Sequence, residues 1–138
     1  MYGIDYVPIS KSILINKIIL KTINLKALKK VLIIDDEIDL CILLKNYLTR
    51  RHYAVETSHR LNDGIKQALD FGPDIIFLDN NLPDSQGWTK AEWLLDKLPN
   101  ADIYLISAYK TTPELPVNPR LRIIEKPLSL KTIEKLLS

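Results

Sequence analysis

The sequence predicts an α/β domain built on a five-stranded parallel sheet with helices on both faces. Short, wholly apolar runs such as VLII at 31–34 read as strands buried on both sides. Each run is followed by apolar residues at helical spacing, and this alternation implies a parallel sheet. A length of 138 residues allows one core and at most one appendage. The apolar fraction of 46% and charged fraction of 26% argue against disorder, collagen and disulfide scaffolds. Cys41 is the single cysteine, which fits a reducing, cytoplasmic setting and excludes an intramolecular disulfide. None of the four glycines belongs to a GxGxxG or GxxxxGK pattern, so dinucleotide and P-loop sites are not expected.

Residues 1–29 form a basic, apolar N-terminal extension ahead of a body at 30–138. The net charge of +2 conceals the division: residues 1–30 sum to +5, with six lysines against Asp5, and residues 31–138 sum to −3. Lys17, Lys21 and Lys26 interrupt the apolar stretch, which argues against a transmembrane helix. Charge inside the apolar region and the lack of a small-residue cleavage site argue against a secretory signal. Ile15, Ile18, Ile19, Thr22 and Ile23 recur near helical spacing, with Ser10 or Ser12 as a cap for an amphipathic helix. Three readings stay open: a loose extension, a helix packed on the body or on a second copy, and a membrane-surface anchor. The moderate helix propensity of isoleucine and the looseness of chain ends favour the first.

In the body, Val31–Ile34 is the first strand, and Leu40, Leu44, Tyr47 and Leu48 line the helix after it. Tyr53–Thr57 is the second strand; Leu61, Ile65, Ala68 and Leu69 mark a helix that stops near Gly72 and Pro73. Asp74–Leu78 is the third strand, and a polar loop with Pro83 and Gly87 leads to a helix lined by Trp88, Ala91, Leu95 and Leu98. Ile103–Ile106 and Leu121–Ile124 are the fourth and fifth strands, and Ser129 caps a last helix carrying Leu130, Ile133 and Leu137. Pro113, Pro116 and Pro119 leave room for at most one helical turn between strands four and five.

Ligands bind open parallel sheets outside the carboxyl ends of the strands, where the strand order reverses. Strand one ends in Asp35 and Asp36, strand three in Asp79, strand four in Ser107, and strand five in Lys126 and Pro127. Each taken alone has a bland explanation as a cap or a solvated side chain. Together they do not, because carboxylates about 4 Å apart repel by about 1 kcal/mol per pair in water and about 4 at an effective dielectric of about 20. A cation relieves that, and oxygen ligands suit Mg²⁺.

These residues also carry a resemblance. VLIIDDE, FLDNNLPDSQG in the form D-x-x-L-P-x-x-x-G, LISA and EKPLS, in that order, resemble the bacterial response-regulator receiver domain over residues 30–138. The resemblance implies a flavodoxin-like strand order of 2-1-3-4-5. It implies Asp79 as phospho-acceptor, with Asp36, Asp79 and the backbone carbonyl of Asn81 binding Mg²⁺ and Asp35 acting through water. Ser107 would donate to the phosphoryl group and Lys126 would pair with it. The expected donor is a histidine kinase or a histidine phosphotransfer protein, with no enzymatic activity beyond the domain's own phosphorylation and dephosphorylation.

Two departures bear on output. Ile123 stands three residues before Lys126, where the family usually has tyrosine or phenylalanine, so the usual aromatic switch is absent or replaced. The proline-rich link occupies the place of the family's fourth helix, part of the usual output face. The sequence therefore predicts a stand-alone phosphorelay receiver with no effector domain after it and output by protein contact. The alternative is a phosphate-independent docking or scaffold protein; a metal-dependent phosphohydrolase is disfavoured because Asn81 replaces the second aspartate that one such family carries. Direct nucleic-acid binding is not expected of an acidic body without a reading motif. Trp93 lies roughly 140° around its helix from Trp88 at about 100° per residue, so it leans to solvent if Trp88 faces the core. No function is assigned to His52, His59 or Cys41.

Overall fold

A computed structural model of the chain describes residues 10–108, 115 and 117–138, the side chains of 22–27 excepted. The elements are α1 (Lys11–Ala27), β1 (Lys30–Ile34), α2 (Ile38–Thr49), β2 (Ala54–Ser58), α3 (Leu61–Phe71), β3 (Ile75–Asp79), α4 (Trp88–Lys97), β4 (Asp102–Ser107), β5 (Leu121–Glu125) and α5 (Leu130–Leu137). All strand pairs are parallel, in the order β2-β1-β3-β4-β5. The chain therefore reverses direction across the sheet between β1 and β3, which opens a crevice over their carboxyl ends.

Period-two alternation divides each central strand between two cores. Leu32, Ile34, Ile76, Leu78, Ile103 and Leu105 face α3 and α4. Val31, Ile33, Ile75, Phe77, Tyr104 and Ile106 face α2 and α5, where the rings of Phe77 and Tyr104 stack at 5.2 Å between centroids. Burial of β1 and β3 on both faces explains their unbroken apolar runs. Gly64 lets α3 approach β1 closely, since a Cβ there would lie 2.6 Å from Ile34 Cδ1. Ser129 caps α5 as expected, its hydroxyl accepting from the Thr132 amide at 3.1 Å.

Some boundaries differ from those expected. Asp74 directly precedes β3 rather than opening it; its amide donates to the Lys30 carbonyl at 2.8 Å and its carboxylate accepts from the Lys30 amide at 2.9 Å. Residues 11–27 are helical, not loose, and the Ser10 hydroxyl accepts from the Ile13 amide at 3.3 Å. Nor is α1 two-sided: Ile13, Leu14 and Ile15 are successive, about 100° apart, and all are half exposed. Ile18, Ile19 and Leu20 are exposed to a similar degree, short of the burial that packing on the body would give. Among the described residues no helix is long and apolar enough to cross a membrane. The short or missing helix expected between strands four and five, with Pro113 and Pro116, falls on 109–114 and 116, outside the described residues; Ala108, Leu115 and 117–120 contain no helix.

Arg120 organises the rim opposite the crevice. Its guanidinium donates to the carbonyls of Leu95 at 2.8 Å, Leu98 at 2.9 Å and Ala101 at 2.8 Å, joining the end of α4 to the residue before β5. Loss of three charge-assisted bonds in Arg120→Ala is expected to cost about 2 kcal/mol, read as a lower urea midpoint at an unchanged slope.

Candidate functional site

The carboxyl ends of β1, β3, β4 and β5 bring the expected polar groups to one edge. Asp35 and Asp79 are 3% and 1% exposed, whereas Asp36 beside them is open to solvent. One carboxylate oxygen from each of Asp35, Asp36 and Asp79 lies within 4.8 Å of the others. Lys126 Nζ reaches Asp79 Oδ1 at 3.0 Å, and the Asn81 amide donates to the same oxygen at 3.1 Å. Asp79 Oδ2 is buried and has no hydrogen-bond partner among the described residues. Ser107, 3% exposed, closes β4 one residue after Ile106, the register partner of Asp79, and its carbonyl accepts from the Lys126 amide at 2.8 Å.

Burial sets the electrostatics of this edge. It pushes the Asp35 carboxyl up to about 6, against the Glu37 amide, which donates to Asp35 Oδ1 at 2.8 Å, and in concert with the charge of Asp79. Burial also raises Asp79, outweighing the bonds from Lys126 and Asn81. Burial alone would lower the Lys126 ammonium, but its bond to Asp79 and the surrounding carboxylates hold it above its ordinary value. Cys41, on the inner face of α2, is a silent neighbour: burial and nearby acids push its thiol up to about 12.

The loop after β3 holds the site from below. Asn80 accepts twice, at its carbonyl from the Gly87 amide at 3.0 Å and at Oδ1 from the Trp88 amide at 3.0 Å, which fixes the start of α4. Gly87 packs on the backbone of Asp79 itself, where a Cβ would overlap the carbonyl oxygen and lie 2.9 Å from Leu78 Cγ. Asp84 reaches across to α3, its two oxygens accepting from the amides of Leu61 at 2.7 Å and Asn62 at 2.9 Å. Slight burial opposes the effect, but those amides hold the Asp84 carboxyl below its usual range. An anion at the first turn of a helix is stabilising, so Asp84→Ala is expected to cost about 1 kcal/mol and to raise amide exchange at Leu61 and Asn62.

Asp35, Asp36, Asp79, Ser107 and Lys126 meet at this edge as their positions after the strands predict, with Asn81 beside them. The Asn81 amide faces Asp79 Oδ1. Asn80, Asp84 and His59, whose Nδ1 lies 2.9 Å from the Asp35 carbonyl oxygen, were not legible as part of the site from the sequence. Only Asn80 had a local signal, as a polar residue seven before a glycine at a helix start.

The family model for the response regulator receiver domain matches residues 31–137. The chain belongs to that family. Among solved structures, a Burkholderia pseudomallei response regulator crystallised with a phosphorylated aspartic acid, calcium ion and citrate superposes with a TM-score of 0.66 at 24% identity, over 80% of this chain and 66% of that one. TrrA of Thermotoga maritima in complex with Mg²⁺ and BeF gives a TM-score of 0.68 at 22% identity, over 80% and 96% of the two chains. Among curated relatives, the transcriptional regulatory protein ResD of Bacillus subtilis is 34% identical over 58 residues, 42% of this chain and 24% of its own. A protein-glutamate methylesterase/protein-glutamine glutaminase of Archaeoglobus fulgidus is 29% identical over 82 residues, 59% of this chain and 24% of its own. The matched stretch thus spans about a quarter of each curated relative's length.

Two side chains singled out in the sequence take the following places. Ile123, in the position the family usually gives to an aromatic ring, lies on edge strand β5 and is 42% exposed. Trp88 packs against the core on α4 while Trp93 is 36% exposed, as their spacing predicts.

Proposed function

We propose that residues 30–138 work as a phosphorelay receiver in the cytoplasm, taking a phosphoryl group onto Asp79 from a histidine kinase or histidine phosphotransfer protein and passing the signal by protein contact. The observation that carries this reading is the inequivalence of the Asp79 oxygens. Oδ1 is anchored by Lys126 and Asn81, and Oδ2 is buried with no partner among the described residues. Attack by an Oδ2 lone pair forms the O–P bond as the P–N bond of a phosphohistidine breaks, and the departing nitrogen keeps that electron pair. Lys126, already at the site, pairs with the transferred group, and Ser107 at the end of β4 donates to it. The partner approaches beside exposed Asp36, where Ile38 and Ile42 present an apolar row, 58% and 54% exposed, on α2.

The donor set fits a divalent cation: an oxygen from each of three carboxylates lies within 4.8 Å of the others, and two of those carboxylates are buried. Asp36, Asp79 and the Asn81 carbonyl would hold Mg²⁺, with Asp35 acting through water. When bound, the ion neutralises the acidic cluster and the charge of the arriving phosphoryl oxygens. A phosphate-independent docking role is the second reading, favoured by the exposed isoleucine at 123.

Incubation with Mg²⁺ and a small phosphodonor, followed by intact mass measurement, tests the reading. One phosphoryl adduct is expected on the unmodified chain and none on Asp79→Asn or in the presence of EDTA. An unmodified mass throughout would leave the docking reading in its place.

A further inference from the structure

The loop between β3 and α4 touches more than the phosphorylation site. Through Asn80 it fixes the start of α4, and through Asp84 the start of α3. Those two helices are the walls of a groove of about 350 Å³ lined by Asn62, Ile65, Lys66, Lys90 and Trp93. On α4, Lys90, Trp93 and Lys97 form one row at i, i+3 and i+7, with the ammonium groups of Lys90 and Lys97 5.9 and 5.8 Å from the centre of the Trp93 ring. On α3, Leu69 follows Ile65 on the groove side and is 49% exposed. The acidic residues of α4 lie elsewhere: Glu92 and Asp96 line a separate depression with Arg120. The groove lining is therefore an apolar floor under lysines, with no carboxylate in it, on a body, residues 30–138, whose net charge is −2.

We propose that this α3–α4 groove is the docking surface for an acidic segment of a partner protein, one that seats an apolar side chain against Trp93 and sets carboxylates on Lys66 and Lys90. The proposal deepens the reading of output by protein contact and rests on it. Exposed tryptophan is a residue type enriched at interface hot spots, and the lysines beside it supply the charge that selects the partner. Charge complementarity selects the partner: a few carboxylates match a few lysines, whereas a long polyanion such as a nucleic acid would meet the surrounding acidic body. The groove also supplies an output face where β5 offers Ile123 instead of an aromatic ring, and it communicates with Asp79 through a loop of eight residues, 80–87, that braces both walls.

Random peptides displayed on phage, selected on the full-length chain and counter-selected on Trp93→Ala, test it. Enrichment of Asp- and Glu-rich sequences around an aromatic or aliphatic residue is expected. A synthetic copy of the enriched peptide is expected to lose about tenfold or more in affinity, by fluorescence anisotropy, on Trp93→Ala and on the double variant Lys66→Glu, Lys90→Glu. Its affinity should also fall as salt is raised. Basic or neutral enriched peptides, or peptides held equally by Trp93→Ala, overturn the proposal. So do Trp93-dependent binding of a single-stranded oligonucleotide and Trp93-dependent dimerisation. Adduct formation at Asp79, measured by intact mass on the same preparations, keeps the two readings apart. An adduct without acidic peptides removes the groove alone, and acidic peptides without an adduct remove the receiver reading.

Discussion

Gly87→Ala is expected to lower the melting temperature by about 10 °C, corresponding to about 3 kcal/mol, and to slow adduct formation at Asp79 by about a hundredfold. The backbone of Gly87 has an ordinary φ of −59°, so conformational freedom is not what glycine supplies here. Close approach is. An added Cβ would overlap the Asp79 carbonyl oxygen and lie 3.2 Å from its carbonyl carbon, backbone atoms of a fully buried strand that cannot step aside. The methyl group therefore pushes the start of α4 off the end of β3 and displaces Asp79 with it. Gly72→Ala is the control. Gly72 caps α3 at φ +64° with open space around it, so its substitution costs only the strain of a left-handed alanine, about 1 kcal/mol. It should leave the adduct rate unchanged. Thermal unfolding and a mass time course on both variants decide the matter, and equal rates for the two would refute this account of Gly87.

Asp35→Asn is expected to stabilise the metal-free chain by about 3 kcal/mol at pH 7.5 and by nothing at pH 3.5. Burial and the charge of Asp79 raise the Asp35 carboxyl from 3.8 to about 6, against the Glu37 amide. A carboxyl raised on folding favours the native state when protonated. That stability is complete below the unfolded value of 3.8 and is lost as pH climbs through about 6. The rise of Asp79, also driven first by burial, acts in the same direction. Urea unfolding in EDTA across that range, on the unmodified chain and on Asp35→Asn, measures the difference. Mg²⁺ added above pH 7 is expected to return the lost stability to the unmodified chain, because a cation that needs ionised ligands competes with protons. A difference between the two proteins that does not change with pH would show that burial of Asp35 carries no such penalty.

The physics that shaped the chain explains what could be read from it directly. VLII and IIFL were legible as central strands because burial on both faces permits only apolar residues there. Asp35, Asp79 and Lys126 were legible as one site because they follow those strands and parallel strands end at a common edge. The braces were not legible. Asp84 meets its partners 22 and 23 residues away, and Arg120 reaches back as far as Leu95, so no local pattern announces either contact. The strand start at Asp74 was off by one residue only: its amide still donates to the Lys30 carbonyl and its carbonyl accepts from the Asp102 amide, so the boundary is a matter of where the regular ladder begins. Helix α1 was legible only as one of three readings, its Ser10 cap included, because isoleucine has no strong intrinsic helix preference and apolar residues on several sides mark no single buried face.

The strand that bears Asp35 at one end has α1 at the other. Helix α1 joins the body through two residues to Lys30, the first residue of β1, and five residues of strand at about 3.3 Å each separate that entry from the acidic crevice. A tether gripping α1 would thus hold the sheet by its amino rim and turn the carboxyl rim outward. Immobilisation through the helix would therefore leave the rim that carries Asp79 on the side of the domain away from the support.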